Sequence, residues 1–121
     1  MIVAGIGCRK ACDGAEILTL LRRAEALAGC RAVAIAIPAF RDGAAGPAAA
    51  AAAAGLPLVL VDRPALEAAQ PHCPTRSARA ACATGLASVA EACALAGGGT
   101  LLLPRIASAT ATCALAQRNP A

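Results

Sequence analysis

Aromatic side chains are almost absent from this sequence of 121 residues, which contains one Phe, no Trp and no Tyr. Proteins that bind single-stranded nucleic acid need aromatic side chains on which the bases stack, so nucleic acid is not an expected partner. Because Phe40 is the sole aromatic residue, the core must be built from Ala, Leu, Val and Ile. Such small side chains indicate closely packed layers of secondary structure.

Long apolar runs are also missing, because Gly, Pro or a charged residue interrupts every hydrophobic stretch. A helix that spans a membrane needs about 20 apolar residues in a row. The first ten residues place their basic side chains after the apolar run, which is the opposite of the order in a secretory signal. The sequence therefore predicts a protein that does not cross a membrane and that works in the cytoplasm.

The seven cysteines do not follow the pattern of a disulfide or metal-binding framework. Their number is odd, no pair has the C-x-x-C spacing, and the chain has a single His. Cys8 and Cys12 form one C-x-x-x-C pair, which is a poor zinc site without further ligands. Since most of the cysteines lie among alanines, we interpret them as small buried hydrophobic residues. We expect no bound metal and no cofactor.

Apolar strand-like and amphipathic helix-like segments alternate along the chain. The first segment, 2–7, is uniformly apolar, as is typical of a strand covered on both faces. Asp13 and Glu16 then have the spacing of a capping box at a helix start. The expected strands are 2–7, 32–38, 57–61, 100–104 and 110–117, and the expected helices are 14–28, a poly-alanine helix from Pro47 that Gly55 stops, 77–83 and 89–96.

This order predicts an α/β fold with three layers, α/β/α, and a mostly parallel sheet of about five strands that ends in a C-terminal β-hairpin. The length suits a single domain over residues 1–121. Residues 62–74 contain three prolines and the only His, and we expect them to form a loop.

Basic residues follow the expected strands. If the sheet is parallel through its fourth strand, the carboxyl ends of these strands share one edge, which is where open α/β sheets bind ligands. The basic residues that would meet there are Arg9, Lys10, Arg41, Arg63 and Arg105. Such a group of cations predicts a site for an anion with several charges.

Gly5 and Gly7 allow a second interpretation. A glycine loop before a helix can present backbone amides to a phosphate, which would make the chain a small phosphate-ligand-binding domain. The dinucleotide fingerprint G-x-G-x-x-G is incomplete, however, because Lys10 stands at its last position. A tight turn with close strand–helix packing explains the two glycines equally well.

Catalytic candidates are few, because a nucleophile–base pair needs a His or paired carboxylates. His72 lies between Pro71 and Cys73, where a solvated side chain is the simpler interpretation. Glu91 follows Ser88 at the spacing of a reciprocal helix cap. Alternatively, Ser88 and the first amides of that helix face the same site as Arg9.

Three segments resemble the family of CobE and the CbiG C-terminal domain. AGIGCRK resembles the family's G-x-G-x-R segment, and GLASVAEACAL resembles its G-x-x-S-V-A-E-A-A-A-L helix start. The matching positions in the second segment are Gly85, Ser88, Val89, Glu91 and Leu95. Near the C-terminus the family has a Lys after a strand and Thr in its last strand, and Arg105, Thr110 and Thr112 stand there. The resemblance covers essentially the whole chain.

The resemblance implies a role in making the corrin ring. Its ligand would be a precorrin or hydrogenobyrinic-acid-type tetrapyrrole, a macrocycle with several acetate and propionate carboxylates, and other corrin-pathway enzymes are candidate partners. After the second strand the family has a Lys followed by an acid, and here Arg41 takes the place of that Lys. An Arg can bind a carboxylate through two parallel hydrogen bonds, which suits this ligand.

The resemblance leaves two activities open. A free-standing CobE-like protein would bind or carry an intermediate as an accessory protein. CbiG-type proteins open a lactone on a cobalt-precorrin and release acetaldehyde, and a hydrolase of this kind would need a water activated by Glu91 or His72. The expected substrate-binding residues are Gly5, Gly7, Arg9, Lys10, Arg41, Ser88, Glu91, Arg105, Thr110 and Thr112.

Overall fold

A five-stranded mixed sheet forms the centre of the protein. The computed structural model describes residues 1–118, apart from the side chains of residues 79 and 83. The strands are β1 (Ile2–Cys8), β2 (Ala34–Pro38), β3 (Leu58–Val61), β4 (Gly99–Ala107) and β5 (Ala111–Arg118). They lie in the order β3-β2-β1-β5-β4. The expected α/β fold and its C-terminal β-hairpin are confirmed.

The direction of each strand decides which ends share an edge. β1, β2 and β3 are parallel, whereas β5 runs antiparallel to both of its neighbours, β1 and β4. β4 therefore has the direction of β1, although β5 separates the two strands. The carboxyl ends of β1 to β4 lie at one edge of the sheet, as the cationic-edge hypothesis requires.

Helices cover both faces of the sheet, which confirms the three layers. The helices are α1 (Gly14–Ala28), α2 (Ala45–Ala54), α3 (Arg63–Ala69), α4 (Ala78–Thr84) and α5 (Ala90–Leu95). α1 and α2 pack on one face, where Ala4 and Ile6 of β1 join their apolar cluster. α3 and α5 pack on the other face, where Val3 belongs to the second cluster. The alternation of neighbouring β1 side chains between the two clusters follows from the two-residue period of a strand.

Residues 62–74 are not the loop that their prolines indicated. They form α3 and a 3-10 turn at Gln70–His72. The Asp62 carboxylate caps α3 by accepting a hydrogen bond from Ala65 N at 3.0 Å. Pro64 lies in the first turn, where a helix needs no amide donor. The capping residue and the proline together are a helix-start signal that the sequence interpretation missed.

Two other helix starts differ from expectation. Asp13 caps α1 through a 3.1 Å bond from Ala15 N, but Glu16 does not close a capping box and instead reaches the β4–β5 turn. α2 begins at Ala45, so Pro47 is its third residue and not its first. Its expected stop is confirmed, since Gly55 ends the helix with a φ of 69°.

The hairpin strands also differ at their ends. β4 continues past Pro104, where the sequence interpretation ended it, and β5 begins at Ala111. β4 lies at the edge of the sheet, and the β4–β5 pairing is irregular on both sides of Leu103. Proline has no backbone N–H and cannot donate a hydrogen bond to a neighbouring strand. An edge strand with irregular pairing tolerates this loss.

The cysteines of the described residues are all free thiols. Cys12, Cys73, Cys93 and Cys113 are buried, as the interpretation of small hydrophobic residues requires, whereas Cys82 is exposed. Burial raises the pKa of the Cys93 thiol and raises that of Cys113 to about 12. These buried thiols are therefore neutral at pH 7.

No helix within residues 1–118 has both the length and the apolar composition that crossing a membrane requires. The cytoplasmic location expected from the sequence stays a prediction.

Close packing of α5 on β1 depends on Gly5. A Cβ at this position would lie 2.5 Å from Ala94 N and nearer still to the Ala90 carbonyl oxygen. We expect Gly5→Ala to lower the free energy of unfolding by about 3 kcal/mol or more, because backbone atoms of a packed helix cannot move aside cheaply. Urea unfolding followed by circular dichroism measures this loss.

Gly43→Ala is the control for Gly5→Ala. Gly43 has a φ of 86° and nothing within 4 Å of an added Cβ, so only backbone strain of about 1 kcal/mol is expected. Equal losses in the two variants would show that α5 does not rest on Gly5.

Candidate functional site

A cavity of about 420 Å³ lies at the carboxyl edge of the sheet. This volume is within the range of small-molecule sites. Its walls come from the ends of β1 and β2, the region of α4 and the start of α5, and the β4–β5 hairpin. The lining residues are Gly7, Cys8, Arg9, Pro38, Phe40, Arg41, Ser77, Ala80, Thr84, Ala87, Ser88, Val89, Arg105, Ser108, Ala109, Thr110, Ala111 and Thr112. We call this space the edge cavity.

Every charged residue that lines the edge cavity is an arginine. Arg9 follows β1, Arg41 follows β2, and Arg105 lies near the end of β4. Within residues 1–118, none of these three guanidinium groups forms an ion pair with a carboxylate. Hydroxyl groups of Ser and Thr line the same walls. The three guanidinium groups supply both the positive charge and the hydrogen-bond donors that an anion site requires.

Arg41 is held more firmly than an ordinary surface arginine. Its Nε donates a 2.9 Å hydrogen bond to the Cys8 carbonyl oxygen, which joins the ends of β2 and β1. Its guanidinium carbon lies 5.0 Å from the centroid of the Phe40 ring, within the range of a cation–π contact. Both contacts restrict the side chain, so Arg41 presents a preorganised positive charge to the cavity.

Glu91 lies behind the cavity wall and is fully buried. Its Oε1 accepts hydrogen bonds from Thr75 N at 2.9 Å and from Ser88 Oγ at 3.2 Å. Its Oε2 accepts a 3.0 Å bond from Arg105 N. One carboxylate therefore joins α5 to β4 and to the segment before α4. The carboxylate binds the backbone amide of Arg105, so the guanidinium group of Arg105 takes no part in this hydrogen bond.

Gln70 fixes Ser88 in the cavity wall. Its side-chain amide donates to Ser88 O at 2.7 Å and accepts from Ser88 N at 3.0 Å. The expected reciprocal cap between Ser88 and Glu91 is therefore wrong, because the Ser88 backbone amide is bonded to Gln70. The Ser88 hydroxyl donates to the Glu91 carboxylate, whereas in a capping box it would accept from the helix.

Glu16 holds the β4–β5 turn at the cavity rim. Its Oε2 accepts 2.8 Å hydrogen bonds from both the backbone amide and the hydroxyl of Thr110, and a third hydrogen bond from the Ser108 hydroxyl. These bonds, led by the one from Ser108, hold the pKa of the Glu16 carboxyl below its usual range, and nearby Arg9 acts in the same direction. α1 thus positions the turn that carries two of the cavity's hydroxyl groups.

The family model described as cobalamin synthesis G C-terminus matches residues 2–116. The chain belongs to this family. Among curated proteins, no sequence matches the chain significantly.

Two solved structures are similar over nearly the whole chain. CobE, a protein from the cobalamin (vitamin B12) biosynthetic pathway, has a TM-score of 0.89 and 32% identity over 99% of this chain and 91% of its own. The cobalamin biosynthesis protein chiG from Agrobacterium tumefaciens str. C58 has a TM-score of 0.78 and 34% identity over 99% of this chain and 100% of its own. The resemblance seen in the sequence is confirmed, and the comparisons support a role in cobalamin biosynthesis.

Most of the site residues that the sequence selected line the edge cavity. They are Gly7, Arg9, Arg41, Ser88, Arg105, Thr110 and Thr112. Gly5 lies under α5, Glu91 lies behind the wall, and Lys10 is exposed outside the lining. His72 is exposed on the 3-10 turn and does not line the cavity. Arg63 donates to the Thr84 carbonyl oxygen at 2.8 Å and supports α4.

Gly5 and Gly7 do not form a phosphate-binding loop. Both lie inside β1 and pair with Ala114 and Thr112 of β5. The tight turn expected from them is therefore wrong, whereas the close strand–helix packing is present at Gly5. A Cβ on Gly7 would lie 2.7 Å from Thr112 Oγ1, so this glycine keeps space at the cavity floor.

Sequence reasoning missed several cavity residues. Phe40 gave one signal, since it is the only aromatic residue and directly precedes Arg41. Ser77 and Thr84 belong to the start and end of α4, and Ser108 lies in the hairpin turn. Hydroxyl residues are common at helix caps and turns, so nothing distinguished these from structural ones.

Glu91→Gln tests the buried carboxylate. Each oxygen of the Glu91 carboxylate accepts at least one hydrogen bond, but a glutamine side chain has only one oxygen. Its NH₂ group would face a backbone amide or hydroxyl donor, and that buried donor would lose its acceptor. We expect a loss of about 1 to 3 kcal/mol in the free energy of unfolding, measured with urea. Glu67→Gln, on the exposed face of α3, is the control and should stay within about 0.5 kcal/mol of the parent. An equal effect of both changes would contradict the structural role of Glu91.

Glu16→Gln tests the ionised carboxylate at the hairpin. Because folding lowers the pKa of Glu16, its stabilising effect is present above the pKa of the unfolded chain and is lost as the pH falls through the folded pKa. The stability difference between the parent and Glu16→Gln should therefore be largest at pH 7 and shrink below about pH 4. Urea unfolding at pH 7 and pH 3 measures both values. A difference that does not change with pH would show that the charge of Glu16 is unimportant.

Proposed function

We propose that this protein binds a polycarboxylate precorrin-type intermediate in the edge cavity and acts as a carrier or accessory protein in corrin synthesis. The observation that carries the proposal is the set of three arginines, Arg9, Arg41 and Arg105, in one cavity without a lining acid. The family's place in cobalamin biosynthesis supplies the class of ligand.

Charge complementarity supports a ligand with several carboxylates. A single carboxylate can pair with one guanidinium through two parallel hydrogen bonds, so three arginines suit a ligand whose carboxylates are distributed around a frame. Corrin-ring intermediates carry their acetate and propionate groups in this way. The lining hydroxyl of Ser77, which accepts from Ala80 N, can donate a further hydrogen bond to the same groups.

The edge cavity suits one side of a macrocycle rather than the whole of it. A volume of about 420 Å³ is smaller than a tetrapyrrole with all of its side groups. We infer that one edge of the ring enters the cavity and that its carboxylates reach the arginines, while the rest of the ring stays outside. A partly exposed ligand is accessible to a second protein, and other corrin-pathway enzymes are the partners that this arrangement favours.

Carriage is favoured over lactone hydrolysis by the positions of the candidate bases. Both oxygens of Glu91 accept hydrogen bonds from protein donors, and the side chain does not line the cavity. His72 is exposed on a turn outside the lining. A general base has to lie within hydrogen-bond reach of the water that it activates.

Titration with hydrogenobyrinic acid tests the proposal. The macrocycle's absorbance reports binding, and the chain has no Trp or Tyr to obscure it. Arg9→Ala and Arg105→Ala should each weaken binding roughly tenfold or more, because each removes a charge-assisted hydrogen-bonded pair. Added salt should weaken binding to the parent protein, since exposed ion pairs are screened.

Arg31→Ala is the matched control. Arg31 precedes β2 at the opposite edge of the sheet, its side chain is 77% exposed, and its only ion pair in residues 1–118 is a 3.8 Å contact with Glu25. The control should bind like the parent protein. Equal weakening in Arg31→Ala, or no binding by the parent protein, would contradict the proposal. If the ligand were recovered with a changed mass, the protein would be an enzyme and not a carrier.

A further inference from the structure

The one aromatic residue of the chain lies at the edge cavity. Phe40 is 43% exposed and lines the cavity beside Arg41, although most large hydrophobic side chains of the described residues are buried or half-buried. A partly exposed phenylalanine contributes little to the core. Its aromatic ring and the guanidinium of Arg41 are in cation–π contact, so the two side chains form one unit.

We propose that Phe40 and Arg41 form a subsite for a flat, conjugated ring that carries a carboxylate. The ligand's ring packs against the exposed part of the Phe40 side chain, and one of its carboxylates pairs with the Arg41 guanidinium. Phe40 thereby distinguishes a conjugated macrocycle from a flexible polycarboxylate of similar charge. This inference rests on the proposed function and adds to it the residue that determines specificity.

The geometry of Arg41 supports a fixed subsite. Its Nε is bonded to the Cys8 carbonyl oxygen at 2.9 Å, so the side chain is tethered through Nε while its two terminal nitrogens are left to donate elsewhere. The cation–π contact with Phe40, at 5.0 Å from the ring centroid, restricts the guanidinium further. A ligand carboxylate that pairs with this group meets donors whose positions are already set, and less side-chain entropy is lost on binding.

Aromatic contact gives the selectivity that charge alone lacks. Arg9, Arg41 and Arg105 attract any anion with several charges, whether or not it contains a ring. Offset stacking between conjugated rings strengthens binding beyond the burial of apolar area. Replacing Phe40 should therefore weaken a conjugated ligand selectively, whereas replacing Arg9 should weaken every polycarboxylate.

Affinity measurements on Phe40→Leu and Phe40→Tyr test the subsite. Hydrogenobyrinic acid is the conjugated probe, and butane-1,2,3,4-tetracarboxylate at low ionic strength is the probe without a ring. Phe40→Leu should bind hydrogenobyrinic acid about three- to tenfold more weakly, while Phe40→Tyr should restore most of the loss. Phe40→Leu should weaken binding of the tetracarboxylate by less than about twofold, because that probe loses only the effect of the ring on Arg41. Leu60→Ala is the control, because Leu60 is similarly exposed at 44% on β3 and lies outside the cavity.

The composition of the chain permits a direct spectroscopic test. Protein labelled with ring-¹³C Phe and ring-¹³C His carries the labels at two residues, Phe40 and His72. Hydrogenobyrinic acid should shift the Phe40 ring resonances through the ring current of the bound macrocycle. The His72 resonances should stay in place, because His72 does not line the cavity.

The outcomes separate this inference from the proposed function. Arg9-dependent binding of hydrogenobyrinic acid with unshifted Phe40 resonances and unchanged affinity in Phe40→Leu would overturn the subsite and leave the proposed function standing. Absence of binding to the parent protein would overturn both. Equal weakening of both probes by Phe40→Leu would show a general packing role and would also overturn the subsite.

Discussion

The buried carboxylate of Glu91 is the interaction on which the cavity depends. It is fully buried, yet none of the groups that donate hydrogen bonds to it is a cation. It accepts hydrogen bonds from the backbone amides of Thr75 and Arg105 and from the hydroxyl of Ser88. A buried polar group has to be satisfied by hydrogen bonds, so all three segments are held to α5. Because α5 itself rests on Gly5, the position of the cavity wall follows from the packing at the centre of the sheet.

The cationic edge is a consequence of strand direction. β5 enters the sheet antiparallel between β1 and β4, and β4 consequently ends at the same edge as β1 and β2. Three arginines that are far apart in the sequence therefore line one cavity. Glu16 contributes from the other side of the sheet by bonding the hairpin turn through Thr110. The fold brings the three arginines together. The carboxylates of Glu16 and Glu91 hold the cavity walls in place without lining the cavity.

Much of the fold was accessible from the sequence because its signals are local. Apolar runs with a period of two or none predict strands, and Gly55 and Gly85 mark helix ends in the left-handed conformation. The hypothesis of a cationic edge needed only strand order and direction. α3 was missed because its prolines were interpreted as loop residues, although Asp62 and Pro64 together mark a helix start.

The details of the site were less accessible because they depend on contacts between distant segments. Glu91 and Ser88 have the spacing of a capping box, but Gln70, 18 residues before Ser88, takes the Ser88 amide. Glu16 also has the spacing of a capping box, with Asp13, but its carboxylate accepts its hydrogen bond from Thr110, which lies 94 residues away. A spacing rule describes what a side chain can reach along its own helix. It carries no information about a competing donor that the tertiary fold brings nearer.

A structure of the protein in complex with hydrogenobyrinic acid would show whether the edge cavity is the binding site. We expect one edge of the macrocycle to lie in the edge cavity, with ligand carboxylates within hydrogen-bond distance of the guanidinium groups of Arg9 and Arg105. A macrocycle bound elsewhere on the surface, with these arginines uninvolved, would contradict it.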